Sequence, residues 1–305
     1  MSTLKPIQPE LFFTRDDASD PRLGELARDP KGQIALIGYP DDQGIKLNGG
    51  RIGAALGPTE IRRWLYRMTP HPRLSFRGLE DLGDLPVDAE LGQRHALAQK
   101  HVEAQLKKNR RVMSFGGGND YAYPDGMALL ENAAARPLVI NVDAHLDVRD
   151  LKHGLTSGTP FYRLLESGKP FDFLELGIQT HCNARAHWDY VEKKGGRILT
   201  VEELRGSDRG LTEAVQELAG DWFLKARPTF LALDMDVFAW PFARGTSAAW
   251  PLGLPPEEFD RFYKFCLKRL DVRVLGIYET SPILDEGGGT ARLAAQWAHG
   301  FLHDV

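Results

Sequence analysis

A chain of 305 residues with 42% hydrophobic and 26% charged residues has the make-up of a folded protein, and disorder or a fibrous repeat is excluded. The formal charge of -4 argues against a general electrostatic grip on nucleic acid or anionic lipid, which leaves a small-molecule substrate as the expected partner. Cys182 and Cys266 lack the close spacing of a zinc ribbon or redox pair, and no stretch has signal-peptide character or approaches the roughly 20 apolar residues of a membrane span, so a cytoplasmic protein is expected.

Residues 1–30 are polar and read as a leader. From 31 to 305, short apolar or β-branched runs alternate with segments of helical period and no linker intervenes, which predicts one α/β domain. In chain order the pattern predicts a strand at 33–39, helices at 59–68 and 95–108, and strands at 111–115, 137–142 and 173–178. There follow a helix at 184–194, a strand at 197–201, a helix at 211–225, a strand at 229–233, a helix at 257–270, a strand at 272–278 and a helix at 291–302. The strands are mostly apolar, as strands buried on both faces are. Pro255 and Pro256 fall where a helix start tolerates proline.

The 137–142 strand runs into Asp143-Ala144-His145-Leu146-Asp147. In an extended chain alternate residues share a face, so Asp143, His145 and Asp147 are expected to project together at the strand's C-terminal end, where open α/β sheets bind ligands. With no basic neighbour before Arg149, such crowding calls for a cation. Asp234-Met235-Asp236 repeats the chemistry after the equally apolar strand at 229–233. A third exit offers Glu279, either a surface carboxylate or a substrate-facing one, and a fourth reads Gly116-Gly117-Gly118-Asn119-Asp120, whose glycines permit close backbone approach. Four carboxylates and one imidazole suit Mn2+ better than a thiolate-preferring ion, and zinc catalytic sites draw mainly on His and Cys. Four negative charges can balance two divalent ions, the arrangement of metal-assisted hydrolysis of a C–N bond.

In these motifs the chain resembles the ureohydrolase family, which includes arginase, agmatinase and formimidoylglutamase and is marked by GGxH, DAHxD and DxD in that order. Here the second and third are intact, and Asn119 stands where the first has histidine. The stretches 48–54, 57–58, 156–161, 177–179 and 290–294 resemble the formimidoylglutamase branch, an enzyme of histidine degradation. So do Ser157, where arginases carry a histidine, and Ala239-Trp240 in place of an Asp-Pro. The resemblance implies a three-layer α/β/α fold with a largely parallel eight-stranded sheet, assembled into homo-oligomers. It also implies a metal centre in which Asp143 and Asp234 bridge two Mn2+ ions, His145 and Asp236 complete one, and Asp147 with residue 119 completes the other.

An asparagine ligates only through a neutral carbonyl oxygen, so the second ion is expected to bind loosely, unless Asp120 supplies a carboxylate instead. Two readings follow: a working hydrolase of N-formimidoyl-L-glutamate or a related guanidino compound, or a relative that has lost hydrolysis and serves as a small-molecule binding or assembly protein. For a dicarboxylate substrate, Arg51 and Arg149 are the candidate cations, with Asn48, Ser157 and Gln179 as weaker polar contacts. Asp147 and Glu279 are the candidate catalytic carboxylates. His153 is the candidate proton shuttle, and His181 has a similar claim. His71, His95 and His101 are expected at the surface, and the aromatic set Phe259, Phe262, Tyr263 and Phe265 in the core.

Overall fold

The computed structural model describes residues 3–207 and 209–304. Eight strands form one sheet: β1 (Ile34–Gly38), β2 (Leu79–Asp84), β3 (Arg111–Phe115), β4 (Leu138–Val142), β5 (Asp172–Ile178), β6 (Arg197–Thr200), β7 (Pro228–Asp234) and β8 (Asp271–Tyr278). Their order is β2-β1-β3-β8-β7-β4-β5-β6, and every neighbouring pair is parallel. Parallel pairing requires crossovers, and the helices that make them cover both faces, giving the three layers.

Alternation along the strands sorts the core into two halves. Ile140, Leu231 and Leu275 pack on one face with the helices Gly57–Leu65, Pro256–Arg269 and Gly289–Phe301. Val139, Phe230 and Val274 pack on the other with Leu91–Lys107, Ala122–Asn132 and Pro160–Leu165. The helix at Pro256 begins on a proline, as its sequence suggests.

The pattern did not reveal β2, which lies at a sheet edge and carries Glu80, Asp81 and Asp84, residues of low strand propensity. Its acids are held instead by buried Arg62, 2.7 Å from Asp81 and 2.6 Å from Asp84. The helix Ala122–Asn132 was also missed, because it is buried nearly all round and shows no polar face. Residues of the expected leader lie against the body: Leu23 and Ala27 are fully buried, and Lys5 bridges Asp84.

The topology decides where the site lies. The chain passes from β3 to β4 over the places later filled by β8 and β7, so β3, β8, β7 and β4 stand side by side. This is a topological switch point, and the four exits with chemical signals belong to these four strands.

Candidate metal centre

β4 ends at Val142, and the chain then turns rather than staying extended. Asp143 Oδ1 accepts the backbone N–H of His145 at 2.7 Å, and Asp147 takes a left-handed backbone with φ 46°. Extended alternation is therefore corrected to a turn closed by an aspartate on its own backbone, a conformation Asp favours. The three side chains still converge. β7 ends the same way, with Asp234 Oδ1 accepting from Asp236 N at 2.8 Å.

Two groups of ligand-capable atoms result, Asp143 with His145 and Asp236, and Asp143 with Asp147 and Asp234, each within 4.8 Å. Asp143 is common to both. His145 Nδ1 lies 3.2 Å from Asp236 and 3.4 Å from Asp143. Asn119 Nδ2 donates to Asp143 Oδ2 at 3.0 Å and Asp147 Oδ2 at 2.8 Å. Glu279, also left-handed with φ 63°, accepts the Asn119 backbone N–H at 3.1 Å. Two non-glycine residues in this sparsely populated region at one site mark a functional constraint.

The electrostatics call for a cation. Burial, with the charge of Asp236, pushes the Asp143 carboxyl up to about 6. Burial and neighbouring carboxylates raise Asp147, Asp234 and Glu279 well above the usual carboxylate range. Burial opposes a charge on His145, but Asp236 and Asp143 outweigh it and raise its pKa. The donor set of oxygens with one imidazole fits a hard or borderline divalent ion. Asn119 Oδ1 and Asp236 Oδ1 are buried with no hydrogen-bond partner, free valences that ligation would use. For Asn119 this requires the opposite amide orientation, with Oδ1 turned to the carboxylates.

His145, Asp147, Asp234, Asp236 and Glu279 line a cavity of about 320 Å³ that also meets Asn48, Arg51, Arg149 and Ser157. Arg51 is committed to the carbonyls of Thr246 and Ser247, and Asn48 donates to Ser157 Oγ at 3.1 Å. Arg149 forms no side-chain hydrogen bond or ion pair among the described residues. Gln179 does not line the cavity: it is buried, its side-chain amide without a partner. His153 lines a neighbouring cavity that shares Asn48, Arg149 and His187 with the first. His181 packs edge-on to Trp250.

Asp120 turns away from the acids, its Oδ2 2.7 Å from His95 Nε2. His95, expected at the surface, is buried there, and its Nδ1 faces Arg163 at 2.9 Å. Arginine can only donate, so the His95 proton sits on Nε2 and is given to Asp120. Sequence reasoning also missed His187, Asn183 and Ser247, which line the cavity from segments after β5 and β7 with no local pattern.

The model of the family described as "Arginase family" matches residues 32–303. The formimidoylglutamase of Hahella chejuensis is 34% identical over 286 residues, covering 88% of this chain and 85% of its own length. The structure of Trypanosoma cruzi formiminoglutamase with Mn2+2 superposes with a TM-score of 0.83 at 30% identity, covering 93% of this chain and 98% of that one. Formimidoylglutamase from Bacillus subtilis gives a TM-score of 0.85 at 27% identity, covering 95% and 93%. None of these relatives supports the reading of a chain that has lost hydrolysis.

Proposed function

The chain belongs to the arginase family, and from that premise we propose that it hydrolyses N-formimidoyl-L-glutamate to L-glutamate and formamide with Mn2+ as its metal. The coarse activity, metal-dependent hydrolysis of a linear carbon–nitrogen bond, goes with the family and with the convergence of Asp143, His145, Asp147, Asp234 and Asp236 at one switch point. That convergence carries the reading. Asp143 and Asp234 would be shared between two ions, His145 and Asp236 would hold one, and Asp147 with Asn119 Oδ1 the other. A divalent pair supplies Lewis acidity and a water acidified towards neutrality for attack on a planar carbon.

The protein's own groups do the rest. Glu279, at the cavity wall beside the acids, would accept hydrogen bonds from the cationic formimidoyl group and fix its plane. The uncommitted Arg149 would pair with a substrate carboxylate, and Asn48 and Ser157 would orient the amino-acid end. A proton must reach the leaving amine. His187 borders both cavities, and burial and Arg149 lower its pKa, so it is better placed for that transfer than His153, one cavity away.

Residues 31–305 as one catalytic unit, a homo-oligomer and a cytoplasmic location complete the reading. Among the described residues no helix is long and apolar enough to cross a membrane. The test is metal analysis after exposure to Mn2+, paired with turnover of formimidoylglutamate, arginine, agmatine and guanidinobutyrate. Bound Mn2+ with preference for the first supports the proposal; no metal and no turnover ends it.

A further inference from the structure

Glu175 has no part in the roles above. It sits on β5, fully buried, directly beside Asn141 of β4 in the sheet register. Asn141 Nδ2 donates to Glu175 Oε2 at 2.8 Å, and the same nitrogen lies 3.4 Å from Asp143 Oδ2 and 3.5 Å from the His145 carbonyl. The amide thus reaches from Glu175 to the carboxylate common to both ligand groups and to the turn that carries them. Asn141 Oδ1 and Glu175 Oε1 are buried without partners, so the pair lacks only one further proton to satisfy both. Burial, together with the nearby Asp143 and Asp147 and against the Asn141 hydrogen bond, raises the Glu175 pKa well above the usual range, which favours the acid that carries this proton.

As a core residue alone Glu175 is a poor choice. Its strand neighbours Phe173, Leu174 and Leu176 are apolar, and burying a carboxyl with one hydrogen bond costs free energy that a leucine would not. We propose that Glu175 is a positioning residue for the metal centre, which fixes the Asn141 amide and through it holds Asp143 and the 143–147 turn in ligating geometry. The proposal rests on the reading that this site holds a divalent metal.

Glu175→Gln offers Asn141 both an acceptor and a donor, whereas Glu175→Leu offers neither. Calorimetric titration of the metal-stripped full chain with Mn2+ is expected to show E175Q binding as the wild type does. For E175L the affinity is expected to fall about 10- to 100-fold, as for other groups that orient metal ligands. At saturating Mn2+ the E175L KM should match the wild type. Circular dichroism of each variant separates loss of affinity from loss of fold. Unchanged affinity in E175L, or equal impairment in E175Q, would overturn the proposal. If E175L does not fold, Asn141→Ala must show the same loss, and normal affinity there overturns it. If the wild type itself binds no Mn2+, the functional reading fails separately. The crystal structures then decide: Asp143 displaced in E175L but not in E175Q supports positioning, and superposable carboxylates refute it.

Discussion

Asn119 sits among the carboxylates of the site, and its surroundings show how an amide is held there. Its Nδ2 bridges Asp143 and Asp147 while its Oδ1 has no partner. The amide that would ligate a second ion can therefore also stand in for that ion, donating to two carboxylates that would otherwise repel. Were Asn119 to ligate an ion, its amide would have to give up both hydrogen bonds and turn, so ligation would compete with an existing interaction. Asn119→His removes that competition and supplies a better donor for a first-row transition metal. Its affinity for a second Mn2+ should rise by at least about tenfold, the lower end of changes seen when metal surroundings are altered. Calorimetry on wild type and N119H measures this, and equal stoichiometry and affinity would show that residue 119 does not ligate.

At the scale of elements, the turn from β3 to Asn119 is tied on both sides. Gly118 N donates to the Asp41 carbonyl at 3.0 Å, Gly116 N to Ile277 at 2.8 Å, and Gly117 O accepts from Glu279 N at 2.8 Å. A Cβ on Gly117 would run into the Asp41 carbonyl, so this backbone approach is open to glycine alone. Gly117→Ala should cost about 1–3 kcal/mol, the usual range for overpacking, and weaken Mn2+ binding because Asn119 and Glu279 move with the turn. Denaturant unfolding and metal titration check the two effects separately; a neutral alanine would mean the turn yields freely. The glycines were legible in the sequence, as were the Asp143 and Asp234 exits, because local spacing encodes them. The His95–Asp120–Arg163 network was not, since it joins two helices and a turn far apart in the chain, and a buried histidine has no local mark. His187 and Ser247 were hidden for the same reason, and Gln179 was offered as a substrate contact because a strand exit does not tell which way the side chain after it points.

For the whole molecule, pH exposes what the acids cost the fold. Burial raises Asp143 to about 6 and holds Asp147, Asp234 and Glu279 well above the ordinary carboxylate range, and His145 is raised by its acidic partners against burial. A group whose folded pKa is raised binds its proton more tightly in the fold, so its stabilisation is complete below the unfolded pKa and is lost as pH rises through the folded value. Without metal, these groups should make the protein progressively less stable from about pH 5 to pH 8. Mn2+ needs the carboxylates ionised and His145 neutral, so its stabilisation should grow over the same interval. Other groups titrate there too. Buried Asp125, pushed up to about 6 by burial against hydrogen bonds from Ser114, Tyr278 and Tyr39, follows the same sign as the cluster. His299 and His303, lowered by burial, follow the opposite one: their contribution is present above the unfolded histidine pKa and lost as pH falls through the folded values. Neither set touches the metal groups, so both contribute equally with and without Mn2+ and cancel in the difference. The gap in melting temperature between Mn2+-saturated and chelator-treated protein should therefore widen steadily from about pH 5 to pH 8. A gap that stays constant would mean that the metal does not bind through these buried acids.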